Sequence, residues 1–227
     1  MPVNMSDSLL DPSSIAVLWD MDGVLVDTAE LHYQTWKQTL AGYGIPFSRQ
    51  LFIEFFGMNN DQTLTRILGH PPEPSFLQES SDHKEDKFRK SIPGQIELYP
   101  GVRKLLQEIQ RAGVRQAIAS SAPQKNIDAL VNELNLASFF QAIVSGHQLS
   151  SKPDPTTFLL AADSLGVKPQ RCVVIEDALH GIEAARRAGM KCIAVATTNP
   201  VDLLSPADLV VKRINELSAT QIIDLIT

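Results

Sequence analysis

The stretch LWDMDGVLVDT, residues 18–28, places Asp20, Asp22 and Asp27 directly behind an apolar run. Asp20 and Asp22 are two residues apart, so their charges repel unless a divalent cation binds there or their pKa values are strongly perturbed. A carboxylate can also attack phosphorus and form an aspartyl phosphate. The alternatives are therefore a metal site, proton transfer, a nucleophile or a polar turn, and Gly23 permits a tight turn after Asp22.

Asp27 has a different setting, because Glu30 follows it three residues later, at the spacing of a capping box. This pattern predicts that Asp27 is the N-cap of a helix, with assistance from Thr28.

Two further polar clusters lie near apolar runs. Ser120 and Ser121 end one run, where a hydroxyl beside a helix N-terminus either donates to a phosphate oxygen or serves as an ordinary N-cap. Lys152 lies in SSKPDPTTF, a loop stiffened by prolines, and this pattern predicts Asp154 as an N-cap and Pro155 as the first helical residue. Lys152 is either a solvated lysine or a fixed cation that offsets carboxylate and phosphate charge.

A last cluster, Glu176 and Asp177, ends the apolar run RCVVI. An adjacent acidic pair at a strand end suits a hard cation such as Mg²⁺, which takes oxygen ligands and retains waters. Either acid could instead cap the helix that follows.

The elements that carry these clusters alternate between short apolar runs, which predict buried strands, and helical patterns. This alternation is typical of an α/β fold with a Rossmann-like, doubly wound parallel sheet. We expect Gly113, Gly166 and Gly189 to follow helix C-termini. The predicted strands lie within residues 15–20, 114–121, 141–146, 171–177, 191–197 and 208–212.

The segment from about residue 29 to 95 breaks this rhythm, because it shows helical patterns only. We expect a flexible lead-in at residues 1–14, an α/β core domain formed by residues 15–28 and 96–227, and a helical insertion at residues 29–95. The helical insertion would lie over the carboxyl end of the sheet, where such folds bind ligands.

The composition disfavours several classes of protein. The 227-residue chain has a net charge of −6, which argues against binding to nucleic acid or to an anionic membrane. No apolar stretch reaches the roughly 20 residues of a membrane span, and the first residues do not resemble a signal peptide. Cys172 and Cys192 lie in apolar runs, as expected for buried free thiols of a cytoplasmic protein. A small phosphorylated ligand stays compatible with this charge. A monomer is favoured over an oligomer because folds of the predicted kind are often monomers.

Taken together and in this order, the motifs resemble those of the haloacid dehalogenase-like hydrolase superfamily, in the branch that contains small-molecule phosphatases and β-phosphoglucomutase. The resemblance covers nearly the whole chain from about residue 15 onward. The motifs are Asp20-Met21-Asp22-Gly23, Ser120, Lys152-Pro153-Asp154-Pro155 and Glu176-Asp177.

The resemblance implies a division of roles among the acidic residues. Asp20 would be the nucleophile that accepts the phosphoryl group, and Asp22 would be the general acid and base. A Mg²⁺ cofactor would be held by the Asp20 carboxylate, the main-chain carbonyl of Asp22 and Asp177. Glu176 would either ligate this metal or support its ligands.

The resemblance also implies the groups that bind the substrate. Ser120 and Lys152 would bind the transferring phosphate, and Gly23, Ser121 and His32 are further candidates for substrate or phosphate binding. Asp22 favours phosphate esters as substrates, because dehalogenases of the superfamily release an unprotonated halide and lack an acid/base at this place. The helical insertion would be the cap domain, which closes to exclude water and selects the substrate.

The insertion carries residues that bear on the choice between phosphatase and mutase. DTAELHYQTWK is similar to the mutase side of the family, in which the residue matching His32 helps to position the acid/base. His32 and Trp36 share a helix face, and we expect Trp36 to pack inside the insertion. Phe56 and Asn60 stand where β-phosphoglucomutases carry lysine and arginine, so Asn60 is a candidate substrate contact.

A mutase must hold a bisphosphate in two orientations, so the loss of these two cations favours hydrolysis. Lys84, Arg66 or Arg89 could replace them, although we expect all three to be exposed helix-face charges. The leading prediction is a Mg²⁺-dependent phosphatase for a small phosphomonoester such as a sugar phosphate. The alternatives are a hexose-phosphate mutase and, less favoured, a catalytically idle binding protein.

Overall fold

The structure, a computed structural model, describes residues 11–226. Most of the predicted lead-in, residues 1–10, lies outside this range. Pro12–Ser14 form a short 3₁₀ helix, and the Asp11 side chain accepts a hydrogen bond from the Ser13 N–H at 2.9 Å. Residues 12–14 therefore have regular structure, and the flexibility of the lead-in stays a prediction.

One parallel sheet is formed by six strands: β1 (Ala16–Trp19), β2 (Arg115–Ser120), β3 (Ala142–Ser145), β4 (Cys172–Glu176), β5 (Lys191–Val195) and β6 (Leu209–Val211). Their order is β3-β2-β1-β4-β5-β6, as the doubly wound prediction requires. In the register, Leu18 of β1 pairs with Ala117 of β2 and Val174 of β4. All six strands lie within the predicted apolar runs.

Five α-helices separate β1 from β2, and four follow β2 in the part of the chain that the structure describes. None of these described helices is long and apolar enough to cross a membrane. The helices are α1 (Ala29–Ala41), α2 (Arg49–Phe55), α3 (Asn60–Leu68), α4 (Pro74–Ser91), α5 (Val102–Arg111), α6 (Gln124–Glu133), α7 (Thr156–Ser164), α8 (Leu179–Arg187) and α9 (Ala219–Asp224).

Each face of the sheet is covered by its own helices. Val17 and Trp19 of β1 pack in a hydrophobic cluster with α5, α6 and α9, whereas Ala16 and Leu18 pack with α7 and α8. Successive side chains of a strand point to opposite faces, so continuous apolar runs are what a sheet covered on both sides requires. The fold is therefore the doubly wound α/β fold that the sequence predicts.

The helical insertion has a hydrophobic cluster of its own, which includes Tyr33, Trp36 and Leu40 of α1 and Leu64 of α3. Trp36 is buried there, which confirms its predicted packing role. The chain segments that lead into and out of the insertion lie side by side. Val26 and Leu98 form an antiparallel bridge, and the Tyr99 N–H donates to the Leu25 carbonyl at 3.0 Å.

Two helices begin one residue later than predicted. Thr28 is the N-cap of α1, and the Asp27 carboxylate accepts from the N–H of the first helical residue, Ala29, at 3.2 Å. In the same way, Pro155 is the N-cap of α7, and Asp154 accepts from the Thr156 N–H at 2.9 Å. In both cases the carboxylate binds the amide two residues ahead, which is an Asx turn placed just before the helix.

Candidate active site

The polar clusters meet because they lie at the carboxyl ends of neighbouring parallel strands. Asp20 directly follows β1, Ser120 ends β2 and Glu176 ends β4. Lys152 lies in the loop between β3 and α7. These four residues, together with Asp22, Ser121 and Asp177, border a cavity of about 740 Å³. Residues of the helical insertion line the same cavity.

Lys152 is the central cation of this edge. Its Nζ lies 2.6 Å from Asp20 Oδ1 and 2.6 Å from Glu176 Oε1, and all three side chains are buried. Burial alone would lower the pKa of Lys152, but the two carboxylates outweigh burial and hold the pKa above its ordinary value. Lys152 is therefore a fixed cation, and the alternative of a solvated lysine is wrong.

Asp20 and Asp22 have opposite electrostatic settings. Burial raises the pKa of Asp20 to about 7; the Lys152 charge opposes this rise and the Glu176 charge adds to it. Burial would also raise the pKa of Asp22, but the hydrogen bonds from His32 and Thr28 and the Lys84 charge hold it below its usual value. Thr28 donates to Asp22 Oδ1, and His32 Nε2 lies 3.4 Å from the same oxygen.

Glu176 uses both of its oxygens within the protein. Oε1 accepts from Lys152, and Oε2 accepts from the N–H groups of Asp177 at 2.8 Å and Ala178 at 2.9 Å. A Cβ on Gly181 would overlap this carboxylate, so the glycine makes room for it. Glu176 thus shapes the loop after β4, while α8 begins at Leu179 without a side-chain cap from either acid.

Asp177 lies against the loop that follows β1. Thr198 donates to its Oδ2, and a Cβ on Gly23 would overlap that oxygen, so Gly23, with φ of 85°, permits the close approach. Burial raises the pKa of Asp177 well above its ordinary value, and the charges of Glu176 and Asp20 add to the effect. Thr198 was not predicted, because it lies after β5 in a segment with no distinctive motif.

A magnesium ion fits this donor set. Burial raises the pKa values of the Asp20 and Asp177 carboxyl groups, and the charges of neighbouring carboxylates add to the rise. An additional cation at this edge would offset both effects. Among the described residues, no three His, Cys, Asp or Glu side chains form a complete metal cage. Mg²⁺ is bound through one or two carboxylates and keeps several waters, so it does not require such a cage.

Ser120 is buried beside Asp20, and its hydroxyl accepts from the Ala122 N–H at 3.1 Å. A hydroxyl that accepts one bond keeps a hydrogen to donate, and Ser120 borders the cavity. The residue is not a helix cap, because the N-cap of α6 is Pro123. Ser121 also lines the cavity.

His32 links Asp22 to a second buried lysine. Lys84 Nζ lies 2.9 Å from His32 Nδ1 and 2.9 Å from Glu85 Oε1. The prediction of an exposed charge is therefore wrong for Lys84, whose side chain is 4% exposed. Burial lowers the pKa of His32, and the Lys84 charge lowers it further, so the ring is neutral at neutral pH.

The other insertion residues singled out from the sequence differ in their burial and in their contacts. Arg66 is exposed, as expected, and borders the large cavity. Arg89 is half-buried and donates to Asn126 Oδ1 at 2.9 Å, so the exposed-charge prediction is wrong for it as well. Asn60 is buried, and its amide donates to Glu85 Oε1 at 2.8 Å, so its contact with substrate stays a prediction. Phe56 borders both this large cavity and a smaller one of about 60 Å³ beside His32.

Comparison with known proteins places this geometry in a family. Residues 17–195 match the family model described as haloacid dehalogenase-like hydrolase. The chain is 32% identical to a β-phosphoglucomutase of Bacillus subtilis, with 89% of this chain and 91% of the relative covered. It is 32% identical to the fructose-1-phosphate phosphatase YqaB of Escherichia coli, with coverage of 79% and 95%.

A solved structure shows the same fold. The structure of a CbbY variant from Rhodobacter sphaeroides in complex with xylulose-(1,5)bisphosphate matches with a TM-score of 0.81 and 30% identity, covering 89% of this chain and 95% of that one. Of these proteins, the relative from Bacillus subtilis is named as a mutase and the one from Escherichia coli as a phosphatase, both of phosphorylated sugars. The chain belongs to the haloacid dehalogenase-like hydrolase family and is an enzyme of its phosphatase and phosphomutase branch.

Proposed function

We propose that the chain is a Mg²⁺-dependent phosphatase for a small phosphomonoester, such as a sugar phosphate, and that the reaction passes through an aspartyl phosphate on Asp20. The observation that carries this proposal is the pairing of Asp20 with Lys152 at the end of β1, beside a second carboxylate, Asp22, that has its own hydrogen-bond partners.

In the first step, Asp20 attacks phosphorus; the bond from its carboxylate oxygen to phosphorus forms while the ester P–O bond breaks. Asp22 gives its proton to the leaving oxygen. In the second step, water attacks the phosphorus of the aspartyl phosphate and loses its proton to Asp22, which regenerates the free Asp20 carboxylate and releases phosphate. Lys152 and the Ser120 hydroxyl hold the phosphoryl oxygens in both steps.

The protonation of Asp22 suits both steps. The lowered pKa of Asp22 favours the carboxylate, which is the form that accepts a proton from water. A phosphate dianion beside it acts in the opposite direction, because a nearby negative charge raises the pKa of a carboxyl group. The substrate itself therefore favours the protonated form that the first step needs.

The Asp20 and Asp177 carboxylates and the main-chain carbonyl of Asp22 would hold the Mg²⁺. When bound, it offsets the charge of the phosphoryl oxygens during transfer. Glu176 would support these ligands through the loop after β4, since both of its oxygens are already engaged.

The helical insertion, residues 29–95, would act as the cap domain. Its helices α2 and α3 border the large cavity opposite Asp20, where closure over the substrate would exclude water and select the leaving group. Among the described residues, the charged side chains of the cavity wall on this side are Glu54, Asp61 and Arg66. Such a wall suits a neutral sugar group better than a second phosphate, which supports hydrolysis over mutase activity.

A hexose-phosphate mutase is the second candidate. It is supported by the contact between His32 and Asp22, by Lys84 behind His32, and by the identity to a β-phosphoglucomutase. In such an enzyme the phosphoryl group of the aspartyl phosphate would be transferred to a sugar hydroxyl instead of to water.

We also propose a cytoplasmic monomer that acts on a small phosphorylated metabolite. The two cysteines, Cys172 and Cys192, are buried free thiols, and burial raises the pKa of Cys172 to about 12. Such thiols are unreactive and consistent with a reducing compartment.

The test is incubation of the purified protein and Mg²⁺ with a panel of sugar phosphates, with free phosphate and isomerised sugar phosphate both measured. We expect phosphate release that falls about 10⁴-fold in Asp20→Asn. Circular dichroism of this variant checks that it is folded.

Conversion of β-glucose 1-phosphate to the 6-phosphate, primed by a sugar bisphosphate and faster than phosphate release, would identify the mutase instead. Phosphate release that persists in Asp20→Asn would exclude the aspartyl phosphate. If neither phosphate release nor isomerisation is detected and no Mg²⁺ binding can be measured, the idle binding protein is favoured.

A further inference from the structure

A series of buried polar side chains connects α6, beside the sheet, with Asp22 by way of the helical insertion. It runs from Asn126 to Glu85, Lys84 and His32 before it reaches Asp22. Of this series, only Asp22 takes part in the catalytic steps described above. The remaining members need a separate explanation, because burying polar groups costs free energy unless each has a partner.

Glu85 is the most connected member. Its Oε1 accepts from Lys84 at 2.9 Å and from Asn60 at 2.8 Å, and its Oε2 accepts from Asn126 at 2.5 Å. These donors lie on three different helices, α4, α3 and α6. Burial would raise the pKa of Glu85, but the Lys84 charge and the hydrogen bonds from Lys84 and Asn60 lower it to about 2, so the side chain is a carboxylate at neutral pH.

Lys84 determines the state of the His32 ring. A lysine ammonium can only donate, so His32 Nδ1 must accept from it and the ring hydrogen must be on Nε2. Nε2 is the atom that faces Asp22 Oδ1 at 3.4 Å. The ring also stacks on Phe88 of α4, with centroids 4.1 Å apart and planes at 10°, so α4 fixes both its tautomer and its orientation.

We propose that Glu85 is a positioning residue for the acid/base Asp22, a role that rests on the proposed function. Its carboxylate fixes the Lys84 ammonium, Lys84 fixes the tautomer and rotation of His32, and His32 together with Thr28 holds Asp22 towards the leaving oxygen. The bond from Asn126 of α6 attaches Glu85 to the α/β core that carries Asp20. The acid/base Asp22 is thereby held in a fixed position relative to the nucleophile Asp20.

The test compares two substrates in Glu85→Gln. A sugar phosphate needs a proton on its leaving oxygen, whereas the nitrophenolate of p-nitrophenyl phosphate leaves without one. Because kcat/KM reports transfer to Asp20, we expect Glu85→Gln to lower kcat/KM for the sugar phosphate by about 10- to 100-fold, part of the 10²–10⁴-fold typical of acid catalysis. For p-nitrophenyl phosphate we expect a loss of less than about 3-fold.

Three controls accompany this comparison. Glu79→Gln changes an exposed carboxylate on the same helix and should leave both values unchanged. Glu85→Asp keeps the charge and should recover part of the lost selectivity. Asn126→Ala removes the bond to Glu85 Oε2 but leaves the bonds to Oε1, and it also removes the bond that Asn126 accepts from Arg89. It should give a smaller loss of the same kind, and it serves as the test if Glu85→Gln does not fold.

An equal loss on both substrates would mean that Glu85 is only structural, and no loss on either would mean that Asp22 does not depend on Glu85. Each of these results overturns the proposal.

Nitrogen NMR of His32 tests the proposal without turnover. We expect Nδ1 to be unprotonated in the wild type and the tautomer preference to weaken in Glu85→Gln, whereas a proton on Nδ1 in the wild type would refute the order of the series. Failure of the wild type to hydrolyse either substrate would count against the proposed function and leave this NMR result independent.

Discussion

Two buried lysines, Lys152 at the sheet edge and Lys84 in the helical insertion, differ in the number of carboxylates that surround them. Lys152 contacts two carboxylates, Asp20 and Glu176, and a third, Asp177, lies beside them. Lys84 contacts one carboxylate, Glu85, and a neutral histidine ring. The first group has excess negative charge, and the second is balanced.

The pKa values express this difference. Burial raises the pKa of Asp20 to about 7 even though Lys152 is 2.6 Å away, whereas the partners of Glu85 outweigh its burial and lower its pKa to about 2. A carboxylate that stays costly to ionise next to a lysine favours an additional cation. We therefore infer that the sheet edge is built for ligands, and that the group around Glu85 is built to hold other side chains in place.

The largest effect is expected from removing the sheet-edge cation. Lys152→Met would leave the Asp20 and Glu176 carboxylates buried without their shared partner, and we expect the free energy of unfolding to fall by about 3–5 kcal/mol. Urea unfolding at neutral pH measures this change. A loss below about 1 kcal/mol, the value of an exposed ion pair, would show that the two carboxylates do not depend on Lys152.

The next effect concerns the pH dependence of stability due to Glu85. Its pKa is about 2 in the folded protein and 4.5 when unperturbed, so its contribution is complete above about pH 4.5 and is lost as the pH falls towards 2. The shift corresponds to about 3 kcal/mol. Glu85→Gln lacks this titration, so we expect the stability difference between wild type and variant to shrink over that range. A difference that is constant from pH 5 to pH 2.5 would contradict the assignment.

Magnesium should distinguish the two groups. At about 100 times its Kd, a ligand that binds only the folded state stabilises it by about 2.7 kcal/mol, and we expect this gain in the wild type and in Glu85→Gln. We expect Asp177→Asn, which removes a proposed ligand, to lose most of it. Thermal unfolding with and without Mg²⁺ measures the gain, and an equal gain in Asp177→Asn would place the metal elsewhere.

The smallest effect is expected at a contact between the two regions. The Asn59 amide, at the start of α3, donates to the Ser151 hydroxyl at 2.5 Å, next to Lys152. We expect Ser151→Ala to lower the free energy of unfolding by about 1 kcal/mol, the usual value of one hydrogen bond. Ser91→Ala, which removes a bond within α4 at an exposed position, is the matched control. An effect above about 3 kcal/mol would mean that this contact holds the regions together.

The sheet and the sheet-edge site could be predicted because their signals are local. Each strand is a continuous apolar run, and Asp20, Ser120 and Glu176 lie at the ends of such runs. The N-caps of α1 and α7 were misplaced by one residue, since an aspartate two residues before a helical amide and an aspartate at the cap itself give nearly the same sequence pattern.

The group around Glu85 could not be predicted in this way. The sequence of α4, PSFLQESSDHKEDKFRKS, is strongly polar, and charges on such a helix usually face water. Lys84 and Glu85 are buried only because His32, Asn60 and Asn126 approach them from 25 to 52 residues away in the chain. Contacts over such distances leave no periodic pattern in a single sequence.

The bridge between Val26 and Leu98 has a consequence for how such an enzyme can diversify. The chain leaves the sheet and returns to it at adjacent points, so everything between them is attached to the core like a loop with fixed ends. A segment of different length or shape can replace it without changing the separation of those ends or the strands beyond them. Under the proposed function, the residues that select the substrate would lie largely in this replaceable segment and the nucleophile in the sheet domain, so that the two could vary at different rates, provided that a new segment keeps the contacts that position Asp22.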